Sequence, residues 1–468
     1  MECSQKDAVW PLSAVESGLR LLGLWSPSQD RRLPQLLALC CVLAAHAFLL
    51  LTNNGSLVMD TPSDLPQLSF TAYNSLTVIG LTAKVVSFPL EGARLSRMLQ
   101  LLAEARRRFP DSEGRRDHHH NMALRLHRFL QVSYRMNSAM WTVAPIVAGA
   151  IAKARADGRP VKRGFMMPLW LPLDTQSSPT YEILLGVQVP CCWICSETSV
   201  LLDCAMLALM LQAAAELAVL NDRLSGVGAG GAPSAALPTC YKDTSPAKSS
   251  YNSEGKSAAA AEAEAQSPLY SRDEMFRSLV ENINHHQIII NYMHLLQMLL
   301  SRGISVLLIC NTISICFHIV ATVALLQEDI EPVGMTKMVL GSTLYAYQTA
   351  ILCLLGQRIT TQSERLPASA FSCDWPAADG RFRRLLIVFC VRSSQALAIR
   401  VCGLYSLSRE TLLQVNVSQG HPSTSSTPIR SGGVGGSSTG SSSSDKELKS
   451  LVSSSFIISS SVRAEKRK

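Results

Sequence analysis

The sequence predicts an all-α protein, a polytopic helical bundle that crosses a membrane several times. Only 17% of its 468 residues are charged, whereas soluble domains contain about 25%. Apolar stretches of roughly 20 residues, the length that an α-helix needs to cross the hydrocarbon core, recur along the chain. These two observations favour one membrane-embedded unit over two or three soluble domains.

Six stretches are long and apolar enough to be transmembrane spans, and we predict a helix for each. They cover residues 34–52, 67–90, 130–152, 181–211, 295–326 and 338–355. A seventh apolar region, residues 385–415, is interrupted by Arg392, Arg400 and Arg409. Each arginine would cost about 2.5–3.5 kcal/mol at the centre of a bilayer. The sequence therefore predicts six clear spans and leaves the seventh in question.

The basic residues between the spans predict which side each loop faces. The N-terminal segment and residues 91–129, 221–293 and 357–384 contain four, nine, six and five Lys or Arg. Residues 53–66, 157–180 and 327–336 contain none, three and none. Cytoplasmic loops carry the excess of basic residues, so we expect a cytoplasmic N-terminus. We find no signal-peptide pattern before the first span, which should direct insertion itself.

The sequon Asn54-Gly55-Ser56 falls in the first predicted outer loop. Asn54 is therefore a candidate for glycosylation, although a chance sequon explains the pattern equally well.

The spans and loops divide the chain into five regions. These are a cytoplasmic N-terminus (1–33), spans one to four (34–220), a cytoplasmic loop (221–293), spans five and six with the seventh region (294–417), and a low-complexity tail (418–468). Within the loop, residues 225–266 are rich in Gly, Ala, Ser and Pro, and we expect them to be disordered. Apolar residues at helical spacing in 91–129 predict an amphipathic cytoplasmic helix, which would bind anionic lipid or pack against its neighbours.

Histidine and cysteine clusters offer little evidence for a metal site. His118, His119 and His120, and the pair His285-His286, lack the cysteine and carboxylate spacing of a zinc site, so we interpret them as solvated loop residues. Cys191, Cys192 and Cys195 lie in an apolar run, where thiols usually act as small apolar side chains.

No pattern typical of an enzyme stands out. The sequence has no phosphate-binding glycine loop, metalloprotease helix or nucleophile elbow, so we expect neither catalysis nor a cofactor. The basic residues lie between spans and not with aromatics on one face, which argues against nucleic acid as a partner and for membrane lipid. Glu197 and Asp203 lie within the fourth span, where ion pairing or snorkelling explains them at least as well as an ion pathway.

Aromatic and polar residues recur at similar depth in the outer halves of the spans, and they are candidates for one ligand pocket. They are Phe70, Tyr73, Trp141, Tyr181, Gln188, Tyr345 and Tyr347. An apolar cavity with a few polar groups suits a small volatile ligand. An aromatic belt at the membrane interface would place the residues at the same depth, and the sequence leaves both interpretations open.

Three passages resemble insect odorant receptors. They are SPTYEILLGVQ at the fourth span, NINHHQIIINYMHLLQMLLS before the fifth, and the block from GQRITTQSERLP to GLYSLSRET. The resemblance implies seven helices, with the odour pocket in the outer halves of spans two, three, four and six. It also implies a heteromeric, tetrameric cation channel formed with the odorant co-receptor in the plasma membrane of olfactory sensory neurons. The paired histidines and residues 363–400 would belong to a cytoplasmic anchor domain where subunits meet.

The sequence departs from the family pattern after Thr411. The family continues with an apolar pore-lining helix, whereas this chain turns polar with LLQVNVSQGHPSTSST. A mispredicted final exon or a divergent subunit would explain the difference.

Three other classes fit less well than an odorant receptor. A gustatory receptor shares the architecture, but the C-terminal Thr-Tyr-x(5)-Gln-Phe signature of that family is missing here. A G-protein-coupled receptor requires the opposite orientation and usually an outer cysteine bridge. A transporter would show internal repeats or interrupted short spans.

Overall fold

The computed structural model describes residues 10–25, 33–155, 163–228, 272–327, 332–401 and 405–408. Helices make up almost all of these residues, as the sequence predicts. The α-helices are α1 (Glu16–Leu21), α2 (Leu33–Met59), α3 (Leu65–Leu90), α4 (Gly92–Arg108), α5 (Arg115–Arg155), α6 (Thr180–Ser225), α7 (Arg272–Gln327), α8 (Pro332–Glu364), α9 (Leu366–Phe371) and α10 (Gly380–Ser393). Short 3-10 turns cover Trp10–Leu12 and Trp375–Ala377, and strands β1 (Arg400–Val401) and β2 (Tyr405–Ser406) form an antiparallel pair.

Each of the six predicted spans lies within one helix, namely α2, α3, α5, α6, α7 or α8. Several helices are much longer than a bilayer requires. The helix α6 has 46 residues and α7 has 56. At a rise of about 1.5 Å per residue, both greatly exceed a hydrocarbon core of about 30 Å. The bundle therefore continues beyond the membrane, on the side predicted to be cytoplasmic.

Judged by length and composition alone, fewer segments qualify as spans than the sequence predicts. Three do so among the described residues: Leu33–Met59, Thr180–Ser225 and Val339–Phe371. A fourth is added if Leu65–Leu90 and Gly92–Arg108, which meet at a bend of 64°, count as one span. The helix α5 is less apolar than these because its membrane stretch carries Arg135, Asn137 and Ser138. Asn137 and Ser138 turn toward an internal cavity.

The burial of helix α4 distinguishes between the two interpretations of residues 91–129, which are lipid binding and packing against neighbouring helices. Leu95, Met98, Leu101 and Leu102 are all nearly inaccessible to solvent and belong to the main hydrophobic core. The arginines of its last turn are exposed. The apolar face of this helix therefore packs against its neighbours and is not free to bind lipid.

The helix α6 is the centre of the bundle. Nearly every residue from Val200 to Leu220 is buried, which is typical of a helix that is surrounded by protein on all sides. The helices α2, α5, α7, α8 and α9 all pack against it. At the predicted cytoplasmic end of the fifth span, Gln297 of α7 accepts a hydrogen bond from the backbone N–H of Arg400 (2.7 Å), which fixes the strand pair to the bundle.

Two boundaries differ from the sequence predictions. The sequon is not in a loop: Asn54 and Ser56 belong to α2, because the helix continues to Met59, and Asn54 Nδ2 donates to the carbonyl of Leu50 (2.7 Å). The expected disordered insert 225–266 begins too early, because residues 225–228 form the end of α6 and a turn in which Val227 is buried. Residues 229–266 lie outside the described residues.

The seventh apolar region is only partly described. Its first residues belong to α10, a helix of 14 residues that ends at Ser393, and the chain then enters β1. The described part is thus not one helix of membrane length. Residues 409–415, where the pore-lining helix would follow, and the tail 418–468 lie outside the described residues.

Candidate functional site

A cavity lies between α2, α3, α5, α6 and α8 near the end of the bundle that carries Asn54, which the sequence predicts to face outside. It contains about 770 Å³ of empty space, a volume that includes the part open to solvent. Its apolar walls are supplied by Leu49, Val78, Leu81, Met166, Met167, Cys192 and Cys195. Its polar lining consists of His46, Asn74, Thr77, Asn137, Ser138, Ser196 and Ser199, together with the aromatic residues Tyr73, Tyr134, Trp141 and Tyr345.

Aromatic pairs form one wall of the cavity. The rings of Phe70 and Trp141 are stacked with centroids 6.0 Å apart, and the rings of Tyr73 and Tyr345 meet edge to face at the same distance. Tyr73 is 2% exposed and Trp141 is 5% exposed. These two side chains are therefore directed into the bundle, whereas a membrane-interface belt would leave them on its surface.

The loop between α5 and α6 covers the outer end of the cavity. Gln188 is fully buried and holds this loop through two hydrogen bonds: its Oε1 accepts from the N–H of Met166 (3.0 Å), and its Nε2 donates to the carbonyl of Met167 (3.0 Å). Lys337 donates to the carbonyl of Met166 (2.7 Å), and its Nζ lies 3.8 Å from the centroid of the Trp141 ring. Gln188 thus positions the roof of the cavity and does not itself line it.

A buried ion pair lies on the opposite side of the cavity, toward the predicted cytoplasmic end. The Nζ of Lys84 donates to Asp203 Oδ1 (2.7 Å) and to Ser199 Oγ (2.9 Å), and Lys84 is completely buried. Asp203 also accepts from Gln348 Nε2 (2.7 Å) and, at 3.5 Å, from the hydroxyl of Tyr134. This network connects α3, α5, α6 and α8, and Ser199 and Tyr134 extend it to the cavity.

The predicted pocket residues do not all lie at one cavity. Tyr73, Trp141 and Tyr345 line the cavity, and Phe70 stacks behind Trp141. Two others are not among the lining residues. Tyr181 donates to the carbonyl of Gly164 (2.9 Å), in the loop between α5 and α6, and Tyr347 packs against Phe129 with ring centroids 5.2 Å apart. A ligand-binding role for any of the seven residues remains a prediction.

Three important residues were missed by the sequence reasoning, namely His46, Lys84 and Lys337. Lys84 could have been found, because a lysine within an apolar span needs a partner and Asp203 was already singled out in another span. His46 is a lone polar residue in an apolar run, and Lys337 sits at the edge of a span. Nothing in either local pattern indicates that His46 lines the cavity or that Lys337 contacts Met166 and the Trp141 ring.

The acids of the fourth predicted span both have basic partners. Asp203 binds Lys84, and Glu197 binds Arg135 (2.7 Å) at a more exposed position. Ion pairing, one of the interpretations that the sequence left open, accounts for both.

The interpretation of the five histidines as loop residues is wrong, because all of them belong to α5 or α7, and three of them are not solvated either. His119 lies in α5 and His285 and His286 lie in α7, and all three are at most 4% exposed. His285 donates from Nε2 to Glu216 (2.9 Å), which also accepts two hydrogen bonds from Arg116 (2.7 Å each). Burial in the protein lowers the pKa of His119 and of His286 to about 4, and it also lowers the pKa of His285.

Neither metal nor disulfide chemistry appears in the part of the chain that the structure describes. The described histidines, cysteines and carboxylates include no group of three that could hold a metal ion. The described cysteines are free thiols. Cys192 and Cys195 are buried in the apolar cluster around the cavity, where they pack as small apolar side chains.

A bundle with several helices long and apolar enough to cross a membrane defines a class, that of multi-span helical membrane proteins. The family model described as 7tm Odorant receptor matches residues 64–416, more than half of the chain. The chain therefore belongs to the odorant receptor family. Membership in this family also decides between the odorant and gustatory alternatives.

Two proteins of Drosophila melanogaster are similar to parts of the chain. Odorant receptor 46a, isoform A is 29% identical over 124 residues, which cover 26% of this chain and 32% of that protein. Odorant receptor 85c is 28% identical over 143 residues, which cover 30% of this chain and 36% of that protein. The matched part of the chain thus spans about a third of the length of these curated relatives.

Two solved structures share the fold. The insect olfactory receptor OR5 from Machilis hrabei, in complex with eugenol, superimposes with a TM-score of 0.65 at 14% sequence identity, covering 89% of this chain and 95% of that chain. A second structure of OR5 gives a TM-score of 0.64 at 15% identity, covering 86% and 94%. At such low identity the likeness establishes the fold alone.

Proposed function

We propose that this chain is the odorant-binding subunit of a ligand-gated cation channel in the plasma membrane of olfactory sensory neurons. The observation that carries the proposal is the buried, aromatic-walled cavity in a chain of the odorant receptor family. The Machilis hrabei receptor that shares its fold was solved in complex with a small molecule, eugenol, which supports a ligand of comparable size here. The pocket residues of this proposal are Phe70, Tyr73, Trp141 and Tyr345, with Gln188 holding the roof.

Ligand binding would open the channel by stabilising one of two conformations of the bundle. A ligand shifts such an equilibrium only as far as it binds one conformation better than the other. The network around Lys84 and Asp203 borders the cavity and connects four helices. It supplies a physical route by which an occupied cavity can change the packing of the helices below it.

By its family resemblance, the channel is proposed to be a heteromeric tetramer with the odorant co-receptor as partner. The helix α10 offers a surface for this contact outside the predicted membrane region. Ile387, Val388 and Val391 are each more than 60% exposed on its outer face. Burying these apolar side chains against a second subunit would remove them from water.

The orientation of the bundle follows from the charges of its loops, and we propose that the N-terminus is cytoplasmic. An epitope tag placed before Trp10 should stay unlabelled on intact cells and become labelled after permeabilisation. Labelling on intact cells would reverse the orientation and would revive the G-protein-coupled alternative.

Patch-clamp recording tests the proposed function directly. Cells that express this chain together with the co-receptor should give odour-evoked cation currents, and cells that express the chain without the co-receptor should give none. The co-receptor alone serves as the matched control for currents that do not depend on this chain. If a broad panel of volatile compounds evokes no current although both subunits are labelled at the cell surface, the proposal is wrong.

A further inference from the structure

Two side chains of the cavity present hydrogen-bond acceptors whose orientation is fixed by the backbone. His46 Nδ1 lies 2.9 Å from the carbonyl of Val42, and a carbonyl only accepts, so Nδ1 carries the proton. Asn74 Nδ2 donates to the carbonyl of Phe70 (2.7 Å), which leaves Oδ1 as the free end of the amide. Both residues line the cavity and are 1% exposed.

Neither acceptor has a partner among the described residues. His46 Nε2 and Asn74 Oδ1 are both buried and make no hydrogen bond there. An unpaired charge would be costly at such a position, so the His46 ring is neutral and its Nε2 carries a lone pair. Buried acceptors are normally satisfied, and a water molecule or a ligand that reaches these two atoms would supply the missing donor.

The cavity also presents an unsatisfied donor. The indole Nε1 of Trp141 is buried without a hydrogen-bond partner among the described residues, and the indole N–H can only donate. A ligand that matches these groups therefore needs one O–H or N–H donor and one accepting lone pair on a small apolar body. A hydroxyl group provides both on a single atom.

We infer that the cavity selects small volatile alcohols and phenols over ethers, ketones and hydrocarbons of the same size. The inference rests on the proposed function, because it assumes that this cavity is the odorant site. A hydroxyl can donate to His46 or Asn74 and accept from Trp141. An ether or ketone can accept from Trp141 but leaves both acceptors unsatisfied, and a hydrocarbon satisfies none of the three groups.

The test compares 2-phenylethanol with its methyl ether, which differ in the hydroxyl donor. Binding is measured as thermal stabilisation of the purified chain in detergent, because a ligand that binds only the folded state raises its melting temperature. The apparent affinity for the alcohol should exceed that for the ether by about tenfold, the effect expected for one hydrogen bond in a dry site.

Two variants test the assignment of the acceptors. One of the two variants, Asn74→Leu or His46→Phe, removes the acceptor that the hydroxyl uses and should weaken the binding of the alcohol by about tenfold, and both should change that of the ether by less than about threefold. Thr71→Val is the matched control, because Thr71 is buried on the same helix as Asn74 but donates to the carbonyl of Gln67 and does not line the cavity. The melting temperature of each unliganded variant shows that it is folded.

The outcomes separate this inference from the proposed function. Alcohol selectivity that is lost in Asn74→Leu or His46→Phe but kept in Thr71→Val supports the inference. Equal binding of alcohol and ether to the unaltered chain overturns it. The proposed receptor function is then still tested separately, by recording odour-evoked currents. Stabilisation by neither compound also overturns it. Selective binding without odour-evoked currents would instead leave the ligand class intact and contradict the proposed channel.

Discussion

The contribution of Trp141 and Tyr345 to ligand binding can be tested with Tyr347 as a control, because Tyr347 lies only two residues from Tyr345 in the sequence. Both line the cavity, whereas Tyr347 packs against Phe129 and is not among the lining residues. Trp141→Ala or Tyr345→Ala should shift odour sensitivity, because losing a large aromatic contact costs about 1–3 kcal/mol of binding. Dose–response recording in the co-receptor complex measures the change, and surface labelling checks expression.

Tyr347→Ala is the control for that pair and should leave the dose–response curve close to that of the unaltered receptor. Unchanged curves for both Trp141→Ala and Tyr345→Ala would contradict the placement of the ligand in this cavity. A shift in Tyr347→Ala as large as theirs would show that the effect does not depend on the cavity lining.

The burial of His286 predicts how the stability of the chain depends on pH. It is 4% exposed, its ring packs edge to face on Phe389, and burial lowers its pKa to about 4, with the charge of Arg392 acting in the same direction. The unfolded chain keeps a pKa near 6.5 at this residue, so it binds more protons than the folded state between these two values. Stability therefore decreases as the pH falls through this range.

Replacing His286 should reduce this acid sensitivity. The contribution of one such histidine between pH 7 and pH 5 is about 2 kcal/mol. His286→Leu should thus show a smaller loss of melting temperature between these two pH values than the unaltered chain, measured on purified protein in detergent. His118→Leu, at an exposed position on α5, is the control. If the two variants lose stability to the same extent as the unaltered chain, His286 does not titrate on unfolding as argued.

At the scale of helices, hydropathy predicted where the spans lie but not how far the helices extend. The predicted span 67–90 nearly coincides with α3, because an aspartate and two prolines mark its start and a bend marks its end. The predicted span 181–211 is the outer part of a helix that continues to Ser225. Its continuation remains apolar because other helices bury it, and hydropathy does not distinguish burial in protein from burial in lipid.

The sequence predicted the contacts of the candidate site less well than it predicted the helices. Depth along each span placed Tyr73, Trp141 and Tyr345 at one level, and the structure brings these three to one cavity. The same argument could not tell which face of a helix each residue occupies, and Tyr347 is on another face from Tyr345. The pairing of His285 with Glu216 joins residues 69 positions apart, which no local spacing reveals.

The ion pair between Lys84 and Asp203 ties α3 to α6, and it predicts a strong coupling between the two helices. Removing one partner of a buried pair leaves an uncompensated charge and typically costs about 3–5 kcal/mol. Lys84→Met should therefore lower the melting temperature and the amount of folded receptor at the cell surface. The double variant Lys84→Met/Asp203→Leu should recover part of the loss, because no buried charge remains.

The exposed pair between Arg135 and Glu197 provides the matched control for this experiment. Arg135 is 56% exposed, and such surface pairs contribute about 0–1 kcal/mol. Arg135→Met should change the melting temperature much less than Lys84→Met. Equal effects of the two substitutions, or a double variant that is less stable than Lys84→Met, would show that Lys84 and Asp203 do not act as a coupled buried pair.

At the scale of the whole molecule, this chain departs from the pattern of its family near the C-terminus. The family match ends at residue 416, and the sequence that follows, VSQGHPSTSST, is largely polar and contains a proline. Such a segment cannot replace about 20 apolar residues across a bilayer, because its backbone and side-chain polar groups would lack partners in hydrocarbon. We therefore predict that the chain, as its sequence reads, lacks a complete seventh span.

Glycosylation mapping decides this prediction, because only segments that reach the outer side acquire a glycan. A sequon appended after Lys468 should stay unmodified if the tail does not cross the membrane, and a sequon engineered into residues 60–64, between α2 and α3, is the positive control for the outer side. The channel then has to obtain its pore from other subunits, so substitutions at Leu412 or Val415 should leave the ion selectivity of odour-evoked currents unchanged. Efficient glycosylation of the appended site, together with a change of selectivity in those variants, would show that a seventh span forms and lines the pore despite the polar sequence.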